Sequence, residues 1–295
     1  MLAFEIVDVF AHPSPASTRQ GVNATPMPYS GNQLAVVYDG EGLSTGQMQA
    51  IAQEFGFSET SFVLPVTTSE ADYRARIFTP GEELPFAGHP TIGSAIAAVA
   101  SGRVEPNGGR VVQECGAGLM TVDLDGASAK LTSTAISVGD VIAPEVAAGA
   151  CGLDASCVIG TAQTASAGLP HNFVRLDDAD VIAATSNLGE LDLVYPFSFD
   201  PETYDVHARL FHNTAGEDPA TGSAAVALGV YLVEQGLISG EGVHGYRIRQ
   251  GAEMGRPSVL YGEVVVEGGR AVSASVAGSA VQVAKGELVT LPVER

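Results

Sequence analysis

Two short stretches of this 295-residue chain bring together residue types that can bind anions and move protons. They are His89-Pro-Thr-Ile-Gly-Ser-Ala95 and Asp218-Pro-Ala-Thr-Gly-Ser-Ala224, identical at four of seven positions. A titratable residue heads each. Each also opens a segment patterned as a helix, Pro90 to Ala100 with a proline near its first turn and Gly222 to Glu234 stopping at Gly236. A helix N-terminus carries unpaired N–H groups and about half a positive charge. Two such ends facing one cleft would hold a carboxylate or another anion. One Pro-x-x-Gly-Ser reads as an ordinary helix start; two copies favour the cleft. A third group, Glu59, follows Phe57-Ser58 and precedes a strand with Phe62 and Val63. Apolar neighbours penalise a charged carboxylate and tune it toward taking and returning a proton. By residue type alone, a glutamate such as Glu59 is usually a solvated strand-edge residue, His89 reads as a packed or capping one, and Asp218 as a helix N-cap.

The elements that must position these groups mix the two periods. Met48, Ile51, Ala52 and Phe55 recur at helical spacing between Ser44, a capping residue, and Gly56, a stop. The run Leu34-Ala-Val-Val-Tyr38 reads as a buried strand, and Thr60–Leu64 and Tyr73–Phe78 read as strands. Short strands follow at Met120–Leu124, Ala129–Leu131, Asn172–Leu176 and Val206–Phe211, and the tail from Arg247 to Pro292 is strand-like. Many strands with few helices predict an α+β fold. The segment His12–Ser30, rich in Pro, Ser, Thr and Asn, reads as a long loop.

Composition narrows the function further. The net charge is −20 and lysine occurs only at positions 130 and 285, which disfavours nucleic acid and anionic membrane surfaces. No apolar run approaches the length of a spanning helix, and acids stand where a signal peptide carries bases, so a cytoplasmic location is expected. Three cysteines without a CxxC pair, and six histidines without HExxH or HxH, point to neither a disulfide scaffold nor a metal centre. Cys115, Cys151 and Cys157 are expected to be small buried apolar residues. Gly240-Glu-Gly-Val-His-Gly245 satisfies GxGxxG but follows a helix and precedes a strand, the reverse of a dinucleotide-binding turn.

The chain resembles the PhzF family of isomerases, named for phenazine biosynthesis, whose wider fold is that of diaminopimelate epimerase and proline racemase. The stretches that carry the resemblance are Gly31-Asn32, Gln47-Met48…Ile51-Ala52, Ser58-Glu-Thr-Ser-Phe-Val63, Arg76-Ile-Phe-Thr-Pro80, Leu84-Pro-Phe-Ala-Gly-His-Pro90, Glu217-Asp-Pro-Ala-Thr-Gly-Ser-Ala224 and Gly255-Arg-Pro-Ser258. The resemblance implies a pseudo-two-fold duplication: two similar domains, each a curled mixed or antiparallel sheet round a central helix, with the active site in the cleft. It places residues 1–114 with 273–295 in the first domain and 115–272 in the second. It also implies a homodimer, no cofactor and a small carboxylate-bearing substrate. Glu59 then matches the proton-transferring glutamate. His89 matches a histidine that contacts substrate, its charged form disfavoured near a helix N-terminus. Asp218 would bind a polar group of the substrate and assist the proton relay, while Gly88, Gly222 and Ser223 would donate to its carboxylate. The racemase branch carries a cysteine in each loop; Ala87 and Pro219 stand there instead, which disfavours two-thiol racemisation.

Three departures from the family pattern stand out: the long 12–30 segment, Gln33 in place of a common proline, and His212-Asn213 where small or apolar residues are usual. The expected function is an isomerase in which Glu59 moves a proton between carbons. The alternatives are an epimerase using Glu59 with His89 or Asp218, and a binding protein without turnover.

Overall fold

The computed structural model describes residues 1–213 and 216–293. In chain order the elements are β1 (Leu2–Val9), β2 (Asn32–Tyr38), α1 (Thr45–Phe55), β3 (Glu59–Leu64), β4 (Tyr73–Phe78), β5 (Glu83–Leu84), α2 (Gly88–Ala100), β6 (Arg110–Cys115), β7 (Gly118–Asp125) and β8 (Ser128–Ser133). Then come β9 (Ser137–Ile142), α3 (Pro144–Ala150), β10 (Ala162–Ser166), β11 (Pro170–Arg175), α4 (Asp178–Ala183), β12 (Val194–Phe199), β13 (Asp205–Ala208), β14 (Leu210–His212) and β15 (Gly216–Asp218). The last are α5 (Gly222–Glu234), β16 (Gly242–Gln250), β17 (Ser258–Glu267) and β18 (Arg270–Leu288). The chain divides into two compact units, Met1–Leu131 with the segment from Ala277 onward, and Thr132–Val276.

In the first unit β1 lies antiparallel between β18 and β2, β3 runs parallel to β2, β4 antiparallel to β3, and β6 parallel to β4. Strands β7 and β8 continue antiparallel, and β8 pairs with β18, so the sheet closes on itself. The unit extends past residue 114 to Leu131 because β7 and β8 belong to this ring. Inside it sits α2, buried on all sides from Gly88 to Ala98. Its glycine, serine and alanines are what let a helix fit there: a Cβ on Gly93 would lie 2.6 Å from both Leu34 Cδ2 and Val9 Cγ2. Outside the ring, α1 buries Met48, Ile51 and Ala52 on Val37, Phe62, Leu64 and Phe78. Its ends follow local code, a Ser44–Gln47 capping box and a left-handed Gly56.

The second unit repeats the order of pairings. Strands β10 and β11 are antiparallel, β12 runs parallel to β11 beyond α4, β13 antiparallel to β12, and β16 parallel to β13 beyond α5. Strand β17 is antiparallel to β16, and β9 flanks β10. Helix α5 is buried over Ala224–Leu232. Repetition of the same parallel and antiparallel steps round a buried helix is the duplication, and the fold class is α+β.

Two expectations need correcting. The single strand foreseen over Val206–Phe211 breaks at Arg209, whose guanidinium turns inward. It donates to Glu217 at 2.7 and 2.8 Å and to the carbonyls of Val181, Ile182 and Ala184. Among the cysteines only Cys151 is fully buried, its thiol pushed up to about 12 by desolvation; Cys115 and Cys157 are half-buried. No helix among the described residues is long and apolar enough to cross a membrane.

Candidate active site

The first unit builds one cluster. Gly31 (φ 73°) turns the chain into β2; a Cβ there would sit 2.4 Å from the Val9 carbonyl, so only glycine fits. The next residue, Asn32, is buried, and its Nδ2 lies 3.3 Å from His89 Nδ1. Strand β3 starts at Glu59, in register with Leu34. Alternation along β3 puts Glu59 and Ser61 on the same face, and Ser61 accepts a hydrogen bond from Ser94 of α2 at 2.8 Å. Glu59 therefore faces α2 too, and its Oε2 lies 3.4 Å from His89 Nδ1 with only 16% of the side chain exposed.

His89 is the second residue of α2 and does not cap it: the N-cap is Ala87. Burial pushes its pKa down to about 3, partly opposed by the Gln33 carbonyl. The ring is neutral at physiological pH, so the contact with Glu59 is no ion pair. The hydrogen bond at Nδ1 is the one with Asn32, in which an unprotonated Nδ1 accepts; the 3.4 Å approach to Glu59 Oε2 is a contact without a hydrogen bond. Among the described residues, Nε2 is buried without a hydrogen-bond partner.

The second unit builds another. Asp218 ends β15, and its Oδ2 accepts the Thr221 hydroxyl at 2.5 Å. Thr221, not Asp218, occupies the N-cap of α5. Gly222 and Ser223 form the first turn, and Ser223 Oγ lies 3.0 Å from Nε2 of His171, a fully buried residue of β11. Desolvation brings His171 down to about 3 as well, with His212 lowering and Asp192 raising it. The sequence offered only strand alternation as a signal for His171, which shares an inward face with Phe173.

The ends of the two helices fix how the units correspond. Ser101, Gly102 and Val104 after α2 bond to Ala97, Val99 and Ala98; Gln235, Gly236 and Ile238 after α5 bond to Tyr231, Val233 and Leu232 in the same pattern. Aligned so, Gly88 matches Gly222 and His89 matches Ser223. The repeated heptapeptide instead pairs His89 with Asp218, so the sequence echo is out of register with the helices. In the structural register one feature recurs: a residue of the strand before the outer helix holds the second residue of the buried helix. The pair is Asn32–His89 in the first unit and His171–Ser223 in the second.

The sequence profile described as "Phenazine biosynthesis-like protein" matches residues 24–286. The chain is 38% identical over 290 residues to an uncharacterized isomerase of Mesorhizobium japonicum, covering 88% of this chain and 94% of that one. It is 31% identical over 281 residues to a trans-2,3-dihydro-3-hydroxyanthranilate isomerase of Pseudomonas fluorescens, with 89% and 95% covered. Among solved structures, a PhzF-family protein of Bacillus anthracis superposes with a TM-score of 0.82 at 26% identity, over 98% of this chain and 99% of that one. With the family profile matched over residues 24–286 and relatives matched over most of its length, the chain belongs to the PhzF family of isomerases, and its duplicated fold agrees with that.

Proposed function

We propose that the chain is a cofactor-independent isomerase of a small carboxylate-bearing metabolite and that Glu59 carries the proton. The observation behind this is the placement of Glu59: largely shielded from water, on the strand face turned to α2, 3.4 Å from an uncharged imidazole. A carboxylate there takes a proton from an activated carbon, leaving the electron pair delocalised over the substrate's conjugated system. The resulting acid returns the proton to a second carbon, and the double bond moves. His89 is the uncharged imidazole beside it, 3.4 Å away. The backbone N–H groups of Gly88 and Gly222 and the Ser223 hydroxyl are the donors for the substrate carboxylate, and Asp218 binds a polar group of the substrate.

The name of the Pseudomonas fluorescens relative makes trans-2,3-dihydro-3-hydroxyanthranilate the first compound to assay, in deuterium oxide and with related acids beside it. Substrate turned over by the intact chain gains solvent deuterium at the carbon that receives the proton. Glu59→Gln lowers kcat by about 100- to 10,000-fold with the fold intact. Normal turnover by Glu59→Gln overturns the mechanism.

A further inference from the structure

Asp218 is the last member of an oriented chain of hydrogen bonds. Beneath Thr221 lies Gln250, the last residue of β16, 1% exposed. Two of its four partners act in one direction only. The Asp218 carbonyl, 2.8 Å from Nε2, can only accept, and the Thr221 backbone N–H, 3.4 Å from Oε1, can only donate. Together they decide which end of the amide is nitrogen. The Tyr195 hydroxyl then donates to Oε1 at 3.1 Å, and the second Nε2 hydrogen goes to Thr221 Oγ1 at 3.0 Å. A hydroxyl that accepts there has its single proton left for Asp218 Oδ2, 2.5 Å away. Each proton from Tyr195 through Gln250 and Thr221 to Asp218 has one place, and the final acceptor is served best as a carboxylate.

The backbone leaves little slack. Gly251 (φ 77°) follows Gln250, and a Cβ on it would lie 2.5 Å from both the Pro219 and the Arg256 carbonyl oxygens. The first unit has a similar device: Tyr73 donates to Gln113 Oε1 at 2.9 Å, Gln113 to Thr91 Oγ1 at 3.0 Å, and Thr91 to the Ala87 carbonyl at 2.8 Å. There the chain ends on a neutral backbone oxygen and pins a helix start. Only in the second unit does it end on an ionisable side chain.

We propose that Thr221 and Gln250 are positioning residues that hold Asp218 ionised and in one orientation, so that it enters the reaction as a hydrogen-bond acceptor. This rests on the reading above, in which Asp218 touches the substrate. Titratable and charged groups on the elements around it include Glu217, bound to Arg209; Tyr195, its hydroxyl pushed well above the ordinary value by burial; Tyr246 of β16; Arg256, whose backbone carbonyl lies beside Gly251 with that of Pro219; and His212 at the far end of β14, 4.0 Å from Asp192. All of these remain in the variants.

The test is titration of the Asp218 carboxyl by carbon-13 NMR in the full chain without substrate, assigned with Asp218→Asn. Thr221→Val, which deletes the hydroxyl and keeps the shape, raises the midpoint by about one pH unit; Thr221→Ser restores it; Gln250→Leu raises it with Thr221 in place. If Gln250→Leu does not fold, the Thr221 pair still decides. A Thr221→Val titration that superposes on the wild type overturns the relay. If the shift is found but Asp218→Asn turns over normally, Asp218 has no place at the substrate, and the proposal falls on that count while Glu59 stands.

Discussion

At the scale of single residues, the same position solves one problem with different chemistry. His89 and Ser223 stand at matching places in α2 and α5, each held by a strand residue, Asn32 or His171. Both histidines are buried and neutral. Their ring nitrogens are therefore expected to keep neutral-imidazole nitrogen-15 shifts at pH 5; a charged signature for either would contradict the burial. Glu59 and His89 were legible in the sequence because they lie in short stretches that resemble family ones. Asn32, His171, Thr221 and Gln250 had no assigned role. Their partners are brought to them by the sheet from 57, 52 and 29 residues away, and no local spacing encodes such a meeting.

At the scale of elements, helix-to-sheet contact sets the site. Gly93 lets α2 press onto β1 and β2, and Leu34 and Val9 around it are fully buried and have nowhere to go. Gly93→Ala is expected to destabilise the protein by about 1–3 kcal/mol in urea unfolding and to lower turnover, because the helix that carries His89 must shift from Glu59. Little change in either would mean the contact gives way. Helix α1 could be read residue for residue, since its cap, apolar face and stop are all local. The short α3 and α4 and strand β12 could not, because they are held by packing around Val174, Val181, Val194 and Phe211, a cluster drawn from distant parts of the sequence. The repeated heptapeptide exposed the duplication and misplaced its register by more than one helical turn, since Pro, Gly and Ser suit a helix start at several offsets.

At the scale of the whole molecule, the two buried histidines contribute to acid sensitivity. Their folded pKa values, about 3, lie below the ordinary 6.5, so the unfolded chain takes up protons first. Stability from this source is whole above about pH 6.5 and falls as the pH drops toward 3. Between pH 7 and 5.5 the loss is about 2.5 kcal/mol for the pair. Denaturant curves at the two pH values measure it, and His171→Asn should remove about half of the difference whatever it does to stability at pH 7. An unchanged difference in that variant would assign the acid sensitivity to carboxylates.

Strand β18 carries a consequence for how this protein is made. Its stretch from Ala280 to Leu288 pairs with β1, at the opposite end of the sequence. On the ribosome the first 131 residues emerge while the strand that completes their sheet has yet to be translated. At about 5–20 residues per second the wait is on the order of ten to thirty seconds. Through that interval the nascent chain shows β1 with one bare edge, and only the late arrival of β18 can seal it.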